Sequence, residues 1–308
     1  MPPKPRQFHK LNDSALYQVS TRKKLAEVLM CSPQDLKDVL ALSVRYKNRW
    51  KRKDSDSAPW LTHPPAPDEA PNYRPIDIPV PPLKKLQGRI AYLLSRVEPP
   101  EFLCSPVKGV SYVDNARRHI NSRAFWLLDI ADYFPNCRAD RVAWFFRTKM
   151  KCAPDVTTIL VALTTDKDRL PQGSPCSPIL AYYSNMRMWN DVSTLVTNAG
   201  CILSVYADDI TISGSKVPGS LVWQVKQTIH KNGFKLKRDK ELSLIASPAD
   251  ITGVIVRNGQ LKLPNRQRKK LVELVSQQKA TSDKKLLAKL DNQIQGRIAQ
   301  RRQIESVD

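Results

Sequence analysis

The stretch VYADDITISG, residues 205–214, sets two adjacent aspartates, Asp208 and Asp209, in a turn between two apolar, β-branched arms. Those arms, CILSVY (201–206) and ITIS (210–213), read as the paired strands of a hairpin. Like charges side by side repel, so such a turn is either well solvated or neutralised by a cation. Hard oxygen donors of this kind suit Mg²⁺ or Mn²⁺. Far upstream, LLDIADYFPN (127–136) places Asp129 inside the apolar strand FWLLDI (125–130). A carboxylate left unpaired there would be costly, because apolar surroundings do not solvate its charge. A buried-strand aspartate together with a hairpin Asp-Asp is the ligand set for a two-metal phosphoryl transfer. In that chemistry, cations roughly 4 Å apart activate the attacking hydroxyl and stabilise the in-line transition state.

Charge points the same way. Fifty Lys and Arg oppose 29 Asp and Glu, a formal net charge of +21. That balance suits a polyanionic partner, since each neutralised phosphate releases condensed counterions. The six cysteines, Cys31, Cys104, Cys137, Cys152, Cys176 and Cys201, are scattered without a Cys-x-x-Cys pair, which argues against a zinc site or a disulfide framework. The start, MPPKPRQFHK, is basic but lacks the apolar run of a signal peptide, and no window reaches the length of a membrane span. The expectation is a soluble protein of the cytoplasm, with no membrane partner.

Outward from the aspartates the chain alternates strands and helices. Ser32-Pro33-Gln34-Asp35 reads as a helix start, with Leu25, Val28 and Leu29 marking a helix before it. Residues 51–82 are too proline-rich for helix and read as extended segments around an exposed loop, Ala58–Pro71. Helices are expected along Leu83, Leu86, Ile90 and Leu94, along Val142, Phe145, Phe146 and Met150, from Ser177 as a cap, and from Leu221 to Gly233. ITGVIV (251–256) and QLKL (260–263) flank Asn258-Gly259 as a second hairpin. From about Arg266 the chain is helical and basic, with Leu287, Leu290, Ile294 and Ile298 forming a stripe.

YADD in a hairpin resembles the catalytic motif of reverse transcriptases, and LDIADYFPN resembles their first aspartate motif. LPQGSPCSPILA (170–181) is similar to their template- and nucleotide-contacting segment, YRPIDIPVPPLKKLQGRI (73–90) to their fingers, GFKLKRDKE (233–241) to their lysine-bearing palm motif, and ITGVIV to their primer grip. The resemblance implies an α+β, right-hand polymerase fold: an N-terminal helical segment (1–50), fingers (51–124), palm (125–250), and a primer-grip hairpin with a basic helical thumb (251–308).

It also implies roles. Asp129, Asp208 and Asp209 would be the metal carboxylates, for two Mg²⁺ ions with Mn²⁺ as an alternative. Phe134, five positions after Asp129, matches the aromatic gate that collides with a ribonucleotide 2′-hydroxyl, or is an ordinary core phenylalanine. Gln172 and Gly173 match the dNTP pocket. Arg74 is the candidate triphosphate clamp, with Lys51, Arg52 and Lys53 as alternatives. Lys240 matches the palm lysine suggested to protonate pyrophosphate, or is a solvated surface lysine. Asp132 is not assigned to the metal.

Asn115-Ala116-Arg117-Arg118-His119 matches the Asn-Ala-x-x-His motif of retron reverse transcriptases. Ile251-Thr252-Gly253 resembles their Val-Thr-Gly motif, with Ile in place of Val. Asn115, His119, Thr252 and Gly253 are therefore expected to contact RNA, together with Lys284, Lys285 and Lys289 of the basic helices. Taken alone, His119 also reads as a structural histidine. The retron resemblance implies a bacterial enzyme bound to its own structured non-coding RNA. It would prime cDNA from an internal guanosine 2′-hydroxyl, leave branched RNA–DNA (msDNA), and act in anti-phage defence with a separately encoded effector protein. Nothing after the basic helices resembles an RNase H, maturase or endonuclease module. A group II intron-like or diversity-generating enzyme, and an RNA- or effector-binding scaffold, are the alternative readings.

Overall fold

The computed structural model describes residues 8–53 and 58–306. The chain forms two compact units that interleave along the sequence: Met1–Pro100 with Asp132–Trp189, and Glu101–Ala131 with Asn190–Asp308. The segment boundaries at 50, 124 and 250 therefore do not coincide with the breaks in packing, which fall at Pro100, Ala131 and Trp189.

The first unit is largely helical. Helix Pro33–Leu40 starts on a reciprocal cap between Ser32 and Asp35, as its sequence dictates, and follows helix Arg22–Leu29. Strands β1 (Tyr46–Arg52) and β2 (Tyr73–Pro79) pair antiparallel, opposing Lys51 to Arg74. Helix Pro81–Leu94 buries Leu83, Leu86, Ile90 and Leu94 on one side. Helix Ala139–Trp144 widens into a π turn, Phe145–Lys149, and Phe145 stacks on Tyr183 at 4.9 Å. Helix Ser177–Ser184 departs from the sequence expectation. Cys176 holds the cap position, while the Ser177 hydroxyl is buried and donates to the Pro171 carbonyl at 2.7 Å.

The second unit is built on a six-stranded sheet. Its strands are β3 (Leu103–Ser105), β4 (Ala124–Ala131), β5 (Ile202–Tyr206), β6 (Asp209–Gly214), β7 (Lys235–Leu236) and β8 (Leu242–Ile245), with main order β3-β5-β6-β4-β7. β4 is central. One side pairs with β6 along its length; the other pairs with β8 from Ala124 to Leu127 and with β7 at Ile130 and Ala131. Residues between β7 and β8 therefore pass alongside Leu128 and Asp129 without ladder pairing. A smaller sheet, β9 (Ala249–Ile251), β10 (Val254–Arg257) and β11 (Gln260–Lys262), packs Ile251, Val254 and Val256 with Val113, Ala116, Phe125 and Ile304.

ITGVIV is thus two strands, not one arm. Thr252 and Gly253 both take positive φ, 49° and 87°, the signature of a tight hairpin turn. Asn258 and Gly259 (49° and 71°) make the next turn, where Asn-Gly is expected. Helices Asn265–Ala280 and Lys284–Glu305 follow. Leu290 and Ile294 are buried, while Lys284, Lys285 and Lys289 are exposed. All six cysteines are free, and among the described residues no helix is long and apolar enough to cross a membrane.

Candidate active site

The carboxylates meet because of sheet register. Asp129 on β4 lies directly opposite Asp209 at the start of β6. Facing residues of an antiparallel pair project to the same side of the sheet. Between β5 and β6, Ala207 and Asp208 form the turn, with Ala207 at φ 57°. Left-handed backbone is unfavourable for a residue with a Cβ. The turn is tied down by its neighbours: the Asp208 carbonyl accepts from the Ile130 N–H at 3.0 Å, and the Ala207 N–H reaches the Ser105 carbonyl at 3.4 Å.

Asp129 is only 3% exposed and has two cationic partners. Lys240 Nζ donates to Oδ2 at 2.6 Å, while Lys237 Nζ stands 2.6 Å from Oδ1 and 4.0 Å from Asp208 Oδ2. Both lysines come from the segment between β7 and β8. The Lys237 N–H is held by the Asp129 carbonyl at 2.8 Å. The 3₁₀ turn Arg238–Lys240 then brings Lys240 round onto the side from which Lys237 projects. Lys237 was not singled out in the sequence, where it is one of several basic residues in GFKLKRDKE. The available signal was its three-residue spacing from Lys240.

Three carboxylates against two ammonium groups leave the cluster negative. Burial raises the Asp208 pKa, and Asp129 adds to the effect. Asp209 is pushed to about 6 by burial, then by Asp208 and Asp129. The Lys240 ammonium is favoured above its ordinary range by its hydrogen bond to Asp129. Concentrated, partly desolvated negative charge on hard oxygen donors fits a divalent cation. Among the described residues, no three His, Cys, Asp or Glu side chains converge tightly enough to cage one as they stand. Both Asp129 oxygens are directed at lysines.

Phe134, Gln172, Gly173 and Arg74 belong to the first unit. Asp132 turns left-handed (φ 48°) into helix Tyr133–Asn136, where Phe134 is half-buried with its ring 5.8 Å from that of Tyr133. Gln172 and Gly173 lie on β2. The Asp77 N–H donates to the Gln172 carbonyl at 2.6 Å, and the Gln172 N–H reaches Asp77 Oδ2 at 3.3 Å. Asp77 Oδ1 accepts from Asn48 Nδ2 at 2.7 Å. The sequence reading missed Asp77, whose buried carboxylate ties the Gln172 loop to the strand that carries the exposed Arg74.

The expected RNA contacts need correction at two positions. Asn115 and His119 are 1% and 0% exposed, so neither presents a surface to nucleic acid. Asn115 Nδ2 donates to Thr252 Oγ1 at 3.2 Å, and that hydroxyl donates to the Tyr112 carbonyl at 3.2 Å. The two short motifs therefore meet as an interior brace that holds Thr252 in its left-handed turn. Thr252 and Gly253 are half-buried. His119 reaches Ser213 Oγ at 2.6 Å and Ser204 Oγ at 2.8 Å, gripping both strands of the hairpin that presents Asp208 and Asp209.

Burial holds the His119 pKa down at about 4, against an unperturbed 6.5, with Arg118 adding to the effect. Between those values the unfolded chain binds a proton that the folded chain refuses, so stability falls with pH. Stability should drop by roughly 2 kcal/mol from pH 7 to pH 5 on this account. Urea unfolding of wild type and His119→Gln across that range checks it; an unchanged slope in the variant would remove His119 as the source.

The family model described as reverse transcriptase (RNA-dependent DNA polymerase) matches residues 64–256. Among curated proteins, the chain is similar to the retron Se72 reverse transcriptase of Salmonella heidelberg (strain 579083-10), at 28% identity over 209 residues, covering 63% of this chain and 54% of that protein. It is 29% identical over 136 residues to the retron Ec86 reverse transcriptase of Escherichia coli, covering 44% and 42%. It is 27% identical over 225 residues to the retron Mx65 reverse transcriptase of Myxococcus xanthus, covering 65% and 52%. The chain spans about half the length of the curated relatives it matches.

Proposed function

The chain belongs to the reverse transcriptase family of RNA-dependent DNA polymerases, and from that membership we propose that it copies RNA into DNA as a retron enzyme. The observation that carries the reading is the register that sets Asp129 opposite Asp209, with Asp208 on the adjoining turn. The similarity to three retron reverse transcriptases supports the subtype, as does the hydrogen bond joining Asn115 to Thr252.

Asp129, Asp208 and Asp209 would hold the divalent cations, two Mg²⁺ ions in this reading. When bound, these would supply activation of the attacking hydroxyl and charge neutralisation at the phosphates. Lys240 Nζ, kept protonated by Asp129, is the proton source assigned to the leaving pyrophosphate. Arg74 would clamp the triphosphate and Gln172–Gly173 would line the nucleotide site, steadied by Asp77. Fingers, palm and thumb are assigned as the sequence suggests, and Lys284, Lys285 and Lys289 would follow RNA phosphates.

Phe134 would exclude the 2′-hydroxyl of a ribonucleotide. Phe134→Val should raise ribonucleotide incorporation at least about tenfold relative to dNTPs, since the rejection is steric. Single-nucleotide extension assays measure this, and unchanged sugar selectivity would return Phe134 to a packing role.

The partners in this reading are the cognate structured RNA, its cDNA and an effector, working in anti-phage defence in the bacterial cytoplasm. Sequencing co-purified nucleic acid across the RNA–DNA junction tests the subtype. A 2′–5′ branch at a guanosine is the expected product. A linear product from 3′-hydroxyl priming would instead favour a group II intron-like or diversity-generating enzyme.

A further inference from the structure

We propose that Lys237 is a built-in counter-ion that holds the place of a divalent cation between Asp129 and Asp208 and must withdraw when that cation binds. The proposal rests on the reading of these aspartates as metal ligands. Its geometric basis is that Lys237 Nζ stands 2.6 Å from Asp129 Oδ1 and 4.0 Å from Asp208 Oδ2. A cation bridging those two carboxylates would need the same space. Lys240 differs, because it engages the other oxygen of Asp129, Oδ2, and does not stand between Asp129 Oδ1 and Asp208.

Charge explains why something must stand there. Asp129 is buried, and without metal or Lys237 the three mutually repelling carboxylates would face the single ammonium of Lys240. A second ammonium keeps the three carboxylates together in the metal-free protein. It also opposes an incoming cation, because a positive charge left at Oδ1 would repel it across a few ångströms.

The side chain is suited to leaving. Its backbone is fixed by the N–H bond to the Asp129 carbonyl, but its side chain is 31% exposed. A lysine stem is flexible and its ammonium hydrates readily, so it can swing to water without moving β7. A residue that only packed the sheet would show neither the exposed path nor the approach to both aspartates.

The test is Mn²⁺ binding to the full chain freed of nucleic acid, read by electron paramagnetic resonance and calorimetry. Thermal melting with and without Mn²⁺ is measured alongside. Lys237→Met should bind Mn²⁺ about tenfold more tightly than wild type. It should melt lower than wild type in the absence of metal and recover when metal is added. Lys237→Arg, which keeps the charge, should bind no more tightly than wild type. If Lys237→Met binds no better than wild type while Asp208→Asn abolishes binding, the metal site stands and the counter-ion role is overturned. A purely structural lysine would give that result, with a lowered melting temperature both with and without metal. If wild type and Asp208→Asn bind Mn²⁺ equally, the metal assignment fails, and the proposal with it. Lys237→Gln carries the same test should the methionine variant fail to fold.

Discussion

Asp208→Asn is expected to abolish DNA synthesis while leaving the protein folded and able to bind RNA. The amide keeps the size of the side chain but removes the charge that would hold a cation on the turn between β5 and β6. Losing one ligand to a cation that stabilises transition-state charge removes several kcal/mol, so activity should fall at least ~10³-fold. The folded protein should not suffer. Asp208 is destabilised as a carboxylate by burial and by Asp129, and a neutral amide relieves that repulsion. Its backbone carbonyl, which accepts from Ile130, is untouched by the change. The expected pattern is therefore lost activity with an unchanged or raised melting temperature in metal-free buffer. Primer-extension assays, RNA binding and thermal melting measure the three parts. Persistent DNA synthesis would end the assignment of Asp208 to the metal, and a collapsed protein would mean that the charge is structural.

Gly173→Ala should be among the most damaging single-methyl changes in the chain. A Cβ at Gly173 would lie 2.6 Å from the Asp77 carbonyl oxygen and 2.9 Å from Ile76 Cγ2, on a backbone at φ +134°. The first clash is with backbone already hydrogen-bonded to Gln172, so rotating a side chain cannot relieve it. Steric overlap and unfavourable φ together should cost about 3 kcal/mol. The loop should lift from β2, raising the apparent KM for dNTPs if Gln172 and Gly173 line their site. Gly88→Ala is the matched control. It lies within helix Pro81–Leu94 with open space around it, so it should gain about 0.5–1 kcal/mol from helix propensity. Denaturant unfolding of both variants checks the contrast. Equal stability for Gly173→Ala and wild type would mean that this loop does not seat on β2.

Local patterning made much of the molecule legible. The Ser32–Asp35 cap, the Leu83–Leu94 face and the Asn258-Gly259 turn all follow from rules that act within a few residues. The rules gave less where distant segments compete. Ser177 satisfies every local criterion for a cap, yet its hydroxyl goes to the Pro171 carbonyl in a buried contact. ITGVIV, rich in β-branched residues, reads as one arm of a hairpin, yet it folds back at Thr252, where Asn115 and the Tyr112 carbonyl hold that threonine in a left-handed turn. Asn115 and His119 are short polar motifs that suggest a surface; their partners in the fold are serines and a threonine 85 to 137 residues away.

The aspartate pair, its apolar strands and the isolated Asp129 were readable in the linear sequence, because a charge in an apolar run violates the local pattern and calls for a reason. What answers Asp129 was not readable. β4 pairs with β7 at one end and β8 at the other, and the short link between them carries Lys237 and Lys240 past the buried carboxylate. That meeting depends on strand order and register across more than 100 residues, and no pattern within a run of neighbours encodes it. The chain announced its acids locally, but their counter-ions were selected by how the sheet closed around them.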